Sequence, residues 1–224
     1  MNTPQETGSA SLSVFEMMMR PAINWSRRDT IIVAATRVFL RQGYEKASME
    51  LVAREAGVAR RTLYNQFAGG KEALFQVVVE RMWSSFPVLH IVSQADSQAC
   101  VETGLRRIAS AVASFWSSPL SVDFLRMIIA EGRNFPYLTE SFFRHGKIPA
   151  MQAVRLYLEQ QAEKGTLHIS DSERAARQFL GLIDEPLLWI RVLGKNETHT
   201  EDERLAVTEE AVSMFVNYYR SPQV

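Results

Sequence analysis

The chain has 224 residues, 46% hydrophobic and 22% charged, with 25 basic and 25 acidic side chains. That is enough apolar chain to bury a core in one or two units without metals or disulfides. The single cysteine, Cys100, excludes an intramolecular disulfide and a cysteine-rich zinc site, and it suits a reducing cytoplasm.

The first twenty residues lack the basic start and apolar run of a secretion signal. Arg81, Arg106, Arg126 and Arg155 interrupt the hydrophobic stretches short of a membrane span, so no membrane partner is expected. The zero net charge hides an asymmetry. Between Arg20 and Phe86 there are eleven basic and six acidic residues, and an equal acidic surplus lies elsewhere. A basic first third on an acidic remainder suggests that this third alone faces a polyanion.

Residues 1–25 mix Thr, Ser, Gly and Gln with a short Phe15-Glu16-Met17-Met18-Met19 patch and read as a flexible arm. From Ser26, a plausible N-cap, Ile31, Ala34, Ala35, Val38 and Phe39 form one apolar helical stripe, which Gly43 stops. A short helix follows Ser48, with Met49, Val52, Ala53 and Ala56 inward, and ends at Gly57. A third covers about residues 60–67. After Ala68-Gly69-Gly70 a longer one runs from Lys71 to about Phe86, before Pro87.

The rest is again helix after helix: about residues 97–117, 120–133, 147–164, 172–193 and 201–219, with a short turn near 137–144. No sustained alternation marks a strand. The expectation is an all-α chain of about nine helices: a helix-turn-helix unit over 26–73 and a helical bundle over 74–224.

The two short helices joined by Ala56-Gly57-Val58-Ala59 have the spacing of a helix-turn-helix. Leu51, Val52, Val58, Leu63 and Phe67 would pack the pair inward, leaving Arg60, Arg61, Tyr64 and Asn65 on the outer face of the second helix. Arginine reads guanine bidentately in the major groove and asparagine reads adenine, while Tyr and Thr hydroxyls typically hold phosphates. Ser48 and Lys71 stand at helix N-termini, where backbone N–H groups attract phosphate.

The run Ser48-Met49-Glu50-Leu51-Val52-Ala53-Arg54-Glu55-Ala56-Gly57-Val58, then Thr62-Leu63-Tyr64-Asn65-Gln66-Phe67, then Lys71-Glu72-Ala73-Leu74-Phe75, resembles the DNA-binding domain of the TetR family of transcriptional regulators. Phe39-Leu40-Arg41-Gln42-Gly43-Tyr44 is similar to the family's first helix end. The resemblance covers about residues 27–75. It implies a homodimer on a double-stranded DNA operator, with the third helix of each subunit in a major groove. Arg60, Arg61 and Asn65 become candidate base readers; Thr62 and Tyr64 become phosphate contacts; Lys71 becomes a phosphate anchor. Two departures stand out. Ala59 occupies a position where the family commonly has a capping Ser, and the link from Phe67 to Lys71 is one residue longer than usual.

Farther on, Ala130-Glu131-Gly132-Arg133-Asn134-Phe135-Pro136-Tyr137-Leu138, with Phe142, resembles a stretch of multidrug-efflux regulators and implies a small-molecule effector. A pocket for one needs apolar and aromatic walls with a few polar fixing points. Trp83, Trp116, Phe124, Met127, Phe135, Phe142 and Trp189 are candidate walls and Glu131 a polar partner, though each could equally fill the core. The helices over 172–193 and 201–219 carry broad apolar faces (Ala176, Phe179, Leu180, Ile183, Leu187, Ile190; Leu205, Thr208, Ala211, Val212, Phe215, Tyr219), which the resemblance assigns to a two-fold dimer interface.

An enzyme is the rival class. His90, His145, His168 and His199 are scattered, and there is no phosphate loop, nucleophile elbow or paired-acid motif, so no catalysis, metal or cofactor is expected. A second rival is a DNA-binding or architectural protein without an effector. Cys100 is expected to be a buried structural thiol rather than a redox sensor.

Overall fold

A computed structural model describes residues 17–18, 25–84, 91, 94, 99–195 and 197–220. The chain runs through α1 (Arg27–Lys46), α2 (Met49–Glu55), α3 (Arg60–Gln66) and α4 (Gly70–Trp83), then α5 (Val101–Ser117) and α6 (Pro119–Glu131). Next comes α7, which starts as Pro136–Phe142 and continues through a π-helical turn, Phe143–Lys147, into Ile148–Glu163. Helix α8 (Ser172–Asp184) continues through a second π-helical turn, Glu185–Trp189, into Ile190–Val192, and α9 (Glu201–Tyr219) ends the described chain. The architecture is the expected all-α one. Among the described residues the nearest approach to a strand is one isolated bridge between Leu167 and Arg220.

Helix boundaries follow local chemistry. The Ser26 side chain accepts the Asp29 N–H at 3.0 Å and starts α1. The backbone leaves helical geometry at Gly43 (φ 78, ψ 165), then makes one more turn over Tyr44–Lys46. Proline opens α6 and α7, where its missing N–H costs nothing. Thr200 and Glu203 form a reciprocal capping box at the start of α9.

Each π turn carries a proline at or just beyond it, Pro149 and Pro186. A proline inside a helix removes a backbone donor and crowds the carbonyl four residues back, and a wider turn relieves both. The segments expected separately at 137–144 and 147–164 are therefore one helix. Gly146 in the first π turn lies against Trp83, so closely that a Cβ there would sit 1.9 Å from the indole Nε1. The widened turn thus lets α7 dock on the end of α4.

Helices α5, α7, α8 and α9 pack as a bundle, while α6 lies on α1 and α4 lies against both α1 and α7. One continuous core results. The Phe75 ring stacks on Phe124 at 5.5 Å and meets Phe39 and Tyr44 edge-on at 5.6 and 5.4 Å. Aromatics of α1, α4 and α6 thereby join the first three helices to the bundle.

One expectation is overturned, and two fall wholly or partly outside the described residues. Met17 is buried and Met18 and Trp25 pack against the core, so at these positions the N-terminal arm is anchored by its apolar side chains; the rest of residues 1–24 lies outside the described residues. The end expected near Phe86 also lies outside them. Cys100 is exposed, not buried, at the start of α5, where the Thr103 hydroxyl and amide hold its thiol below the usual pKa.

Candidate nucleic-acid interface

The helix-turn-helix is built by its inward side chains. Met49, Val52 and Ala53 of α2 and Leu63 of α3 are buried together with Phe67, and Leu51 and Val58 are half-buried against them. Gly57 takes φ 64 in the turn, a left-handed conformation that side-chain-bearing residues adopt at a cost. The turn is closed by the Val58 N–H on the Ala53 carbonyl at 3.0 Å. Arg28 of α1 lies 4.7 Å from the Phe67 ring centre and reaches the Gln66 carbonyl, so a cation grips the end of α3.

With Leu63 wholly buried, the helical period turns Arg60, Arg61, Tyr64 and Asn65 outward, and all four are exposed; Thr62 is half-buried. Arg60 pairs with Glu50 on α2, which keeps a carboxylate beside the outer face; a hydrogen bond from the helix backbone, and to a lesser degree Arg60, holds that carboxyl below its usual pKa. No side chain caps α3 at Ala59. The Ser48 side chain accepts the Leu51 N–H at 3.2 Å, so it is committed to capping α2.

Lys71 departs from the outward role expected of it. Its ammonium donates to the carbonyls of Tyr44 (2.9 Å), Glu45 (3.2 Å) and Ala47 (2.9 Å) and sits 4.2 Å from the Tyr44 ring centre. In the Phe67–Lys71 link Gly70 takes φ 68. The carbonyls at the C-terminal end of α1 supply an acceptor for each of the three Lys71 donors, the Tyr44 carbonyl also accepting the Ala47 N–H at 3.2 Å. Burial lowers the Lys71 pKa, opposed by Glu131 and Glu45.

The eight residues expected around a small-molecule pocket fall into three groups. Trp83 stacks on Phe115 and meets Phe142, and Phe115 meets Trp116, with ring centres 4.8 to 5.3 Å apart. Phe124, Phe135 and Met127 belong to the packing around Tyr44 and Phe75 or to the core beside it. Glu131 and Trp189 lie elsewhere. Glu131 points into the first domain, accepting the Tyr44 N–H at 2.9 Å and the Glu45 N–H at 2.6 Å, and Trp189 is 48% exposed.

Sequence reasoning missed the polar partner nearest the first group. Asp184 accepts the Trp116 indole N–H at 2.9 Å and faces the Lys147 ammonium at 3.5 Å; burial raises its pKa, against the pull of Lys147. Arg191, also buried, donates to the Trp116 and Ser117 carbonyls. Nothing in the local pattern around Asp184 announced these contacts, because their partners lie more than thirty residues away.

Residues 31–78 match the family model described as bacterial regulatory proteins of the tetR family, and residues 103–221 match that of the AefR-like transcriptional repressor C-terminal domain. The chain belongs to the TetR family. The regulator SrpR of Pseudomonas putida is 28% identical over 157 residues, 70% of this chain and 71% of SrpR. The regulator LmrA of Bacillus subtilis is 40% identical over 55 residues, 25% of this chain and 29% of LmrA. The flavonoid-responsive regulator FrrA superposes with a TM-score of 0.72 at 29% identity, covering 88% of this chain and 98% of FrrA. A TetR-family regulator from Mesorhizobium loti shares the fold, with a TM-score of 0.74 at 24% identity over 87% of this chain and 96% of its own.

As a TetR-family protein the chain is a DNA-binding transcriptional regulator. No described helix is long and apolar enough to cross a membrane.

Proposed function

We propose that this TetR-family regulator is a cytoplasmic homodimeric repressor released from its operator by a small hydrophobic effector. The observation that carries the DNA half is the outer face of α3, where Arg60, Arg61, Tyr64 and Asn65 stand exposed over a buried Leu63. Arg61 and Asn65 lie four residues apart on that face and are placed to reach neighbouring base edges. Arg60 reads a base once it leaves or shares Glu50. Thr62, Tyr64 and the Ser48 turn contact phosphates and set the register. Lys71, with its ammonium held inward, contributes through the backbone N–H groups at the start of α4 rather than through its charge.

The dimer half is supported by the outer face of α8 and α9, and not by most of the face first assigned to it, since Ala176, Phe179, Ile183, Leu187, Ala211, Val212 and Phe215 are buried within the subunit. Leu182, Trp189, Met214 and Tyr218 are exposed there, and Leu182, Met214 and Tyr218 line a groove of about 460 Å³ with Gly181, Pro186 and Phe215 among others. Large exposed apolar side chains gathered on two adjacent helices mark an association surface. The effector half draws on FrrA, which is flavonoid-responsive, and on the Trp83, Phe115, Trp116 and Phe142 cluster. Those rings pack on one another, so a planar, partly polar ligand enters only by parting them, with Asp184 and Lys147 beside it.

The test is fluorescence anisotropy on duplexes selected from a random library, over a salt series, with and without a panel of flavonoids. Sequence-selective binding that weakens steeply with salt, and that a flavonoid reverses, is expected. Selection that enriches no duplex would end the DNA reading. Binding that no small molecule alters would favour an effector-independent DNA binder.

A further inference from the structure

The turn that closes α1 is held from two sides by opposite charges. Lys71, at the start of α4, collects the carbonyls of Tyr44, Glu45 and Ala47. Glu131, the last residue of α6 in the body of the protein, collects the N–H groups of Tyr44 and Glu45, one on each carboxylate oxygen. Those N–H groups lack helical partners because the backbone breaks at Gly43. A Cβ at Gly43 would sit 2.4 Å from the Glu131 carboxylate, so the glycine both permits the break and leaves room for the acid.

This is a long-range contact of unusual economy. It spans 87 residues, it is bidentate, and it ties side chain to backbone, so no change at position 44 or 45 short of proline abolishes it. The Tyr44 ring fixes the same turn from inside, in edge-to-face contact with Phe75, Phe135 and Tyr137. The next residues, Ala47 and Ser48, lead directly into α2. Whatever tilts or shifts the end of α6 therefore moves the base of the helix-turn-helix.

We infer that Glu131 is the positioning residue of the reading head: its carboxylate sets the angle between α6 and the α1–α2 turn, and thereby the placement of α3 for DNA. The proposal rests on the DNA-binding reading above but asks a different question of it. Glutamine at 131 keeps the size and one acceptor, but turns an amide NH₂ toward the second backbone N–H, where donor meets donor. Aspartate keeps both acceptors on a shorter arm.

The experiment compares full-length wild type, Glu131→Gln and Glu131→Asp by amide hydrogen exchange and by anisotropy on the library-selected duplex. For Glu131→Gln, faster exchange at the Tyr44 and Glu45 amides is expected, with Ile32–Phe39 and Leu105–Val112 unchanged. Affinity should fall roughly tenfold with the salt slope intact, because orientation and not a phosphate contact is lost. Aspartate should restore part of both. Unchanged exchange at the two amides would show that the strut does not hold in solution. Faster exchange with full affinity would show a strut that positions nothing. A loss of affinity with a shallower salt slope, or loss of protection throughout α1 and α5, would reduce Glu131 to a phosphate-side or general stability effect. If wild type binds no duplex, the DNA reading falls by itself, this role falls with it, and exchange still reports whether the contact exists.

Discussion

The two outer faces of the molecule are made alike and finished differently. Both α3 and the α8–α9 pair present an inner stripe that is fully buried, Leu63 and Phe67 in one case, Phe179, Ile183, Val212 and Phe215 in the other. On the outside, α3 carries Arg60, Arg61 and Asn65 around one half-exposed tyrosine, whereas α8 and α9 carry Leu182, Trp189, Met214 and Tyr218. A guanidinium-and-amide face matches the phosphates and base edges of DNA; an apolar face matches another apolar face. The inner stripes make the fold, and the outer faces distinguish its partners.

That division is tested hardest where the first three helices meet the body. Phe75 is fully buried and touches the rings of Phe39, Tyr44, Phe124 and Tyr137. Phe75→Ala should lower stability by about 3–5 kcal/mol, the range for emptying a buried aromatic site. Urea unfolding followed by both near- and far-ultraviolet circular dichroism would check it. If the two signals split in the variant, the head and the body are separable units joined by this ring. If they stay coincident, the protein is a single cooperative unit and the two faces belong to one core.

The outer face of the head is tested by Arg60→Ala, whose expected cost is about 1–3 kcal/mol on the selected duplex, with relaxed preference at one base pair. Binding across a set of single-base variants of that duplex would show it. A uniform loss on all of them would make Arg60 a phosphate contact. No loss at all would mean that Arg60 remains with Glu50 on DNA, and the reading would rest on Arg61 and Asn65.

How much of this was legible in the sequence differs between the same regions. In the head, spacing over a few residues was sufficient: Ile31, Ala34, Ala35, Val38 and Phe39 lie inward as their period requires, and Gly43 and Gly57 break the chain where expected. In the body, aromatic composition suggested a cavity, yet the rings of Trp83, Phe115, Trp116 and Phe142 pack on each other. Glu131 was expected as a polar partner in a pocket and Lys71, from its helix N-terminus and the family resemblance, toward phosphate. Both instead serve backbone groups of the Tyr44–Ala47 turn, a partnership that no local pattern encodes because the demand for donors and acceptors arises only after the chain folds.

The smallest effect concerns the departure that sequence did reveal. Ala59 has the extended backbone of an N-cap (φ −67, ψ 145) but no side-chain acceptor, so the first N–H groups of α3 depend on the Ala59 carbonyl and on water. Ala59→Ser should add about 0.5–1 kcal/mol, read as a higher urea midpoint with an unchanged slope. Ala59→Gly should come within a few tenths of a kcal/mol of the serine variant if backbone freedom and solvation matter more than the hydroxyl. DNA affinity should change less than it does for Arg60→Ala, because the cap orders the start of a helix already fixed by Leu63 and Phe67. A serine variant no more stable than wild type would show that the inner stripe alone sets the stability of α3. The missing cap would then cost the reading helix nothing, and the contrast between the faces would reduce to their outward side chains.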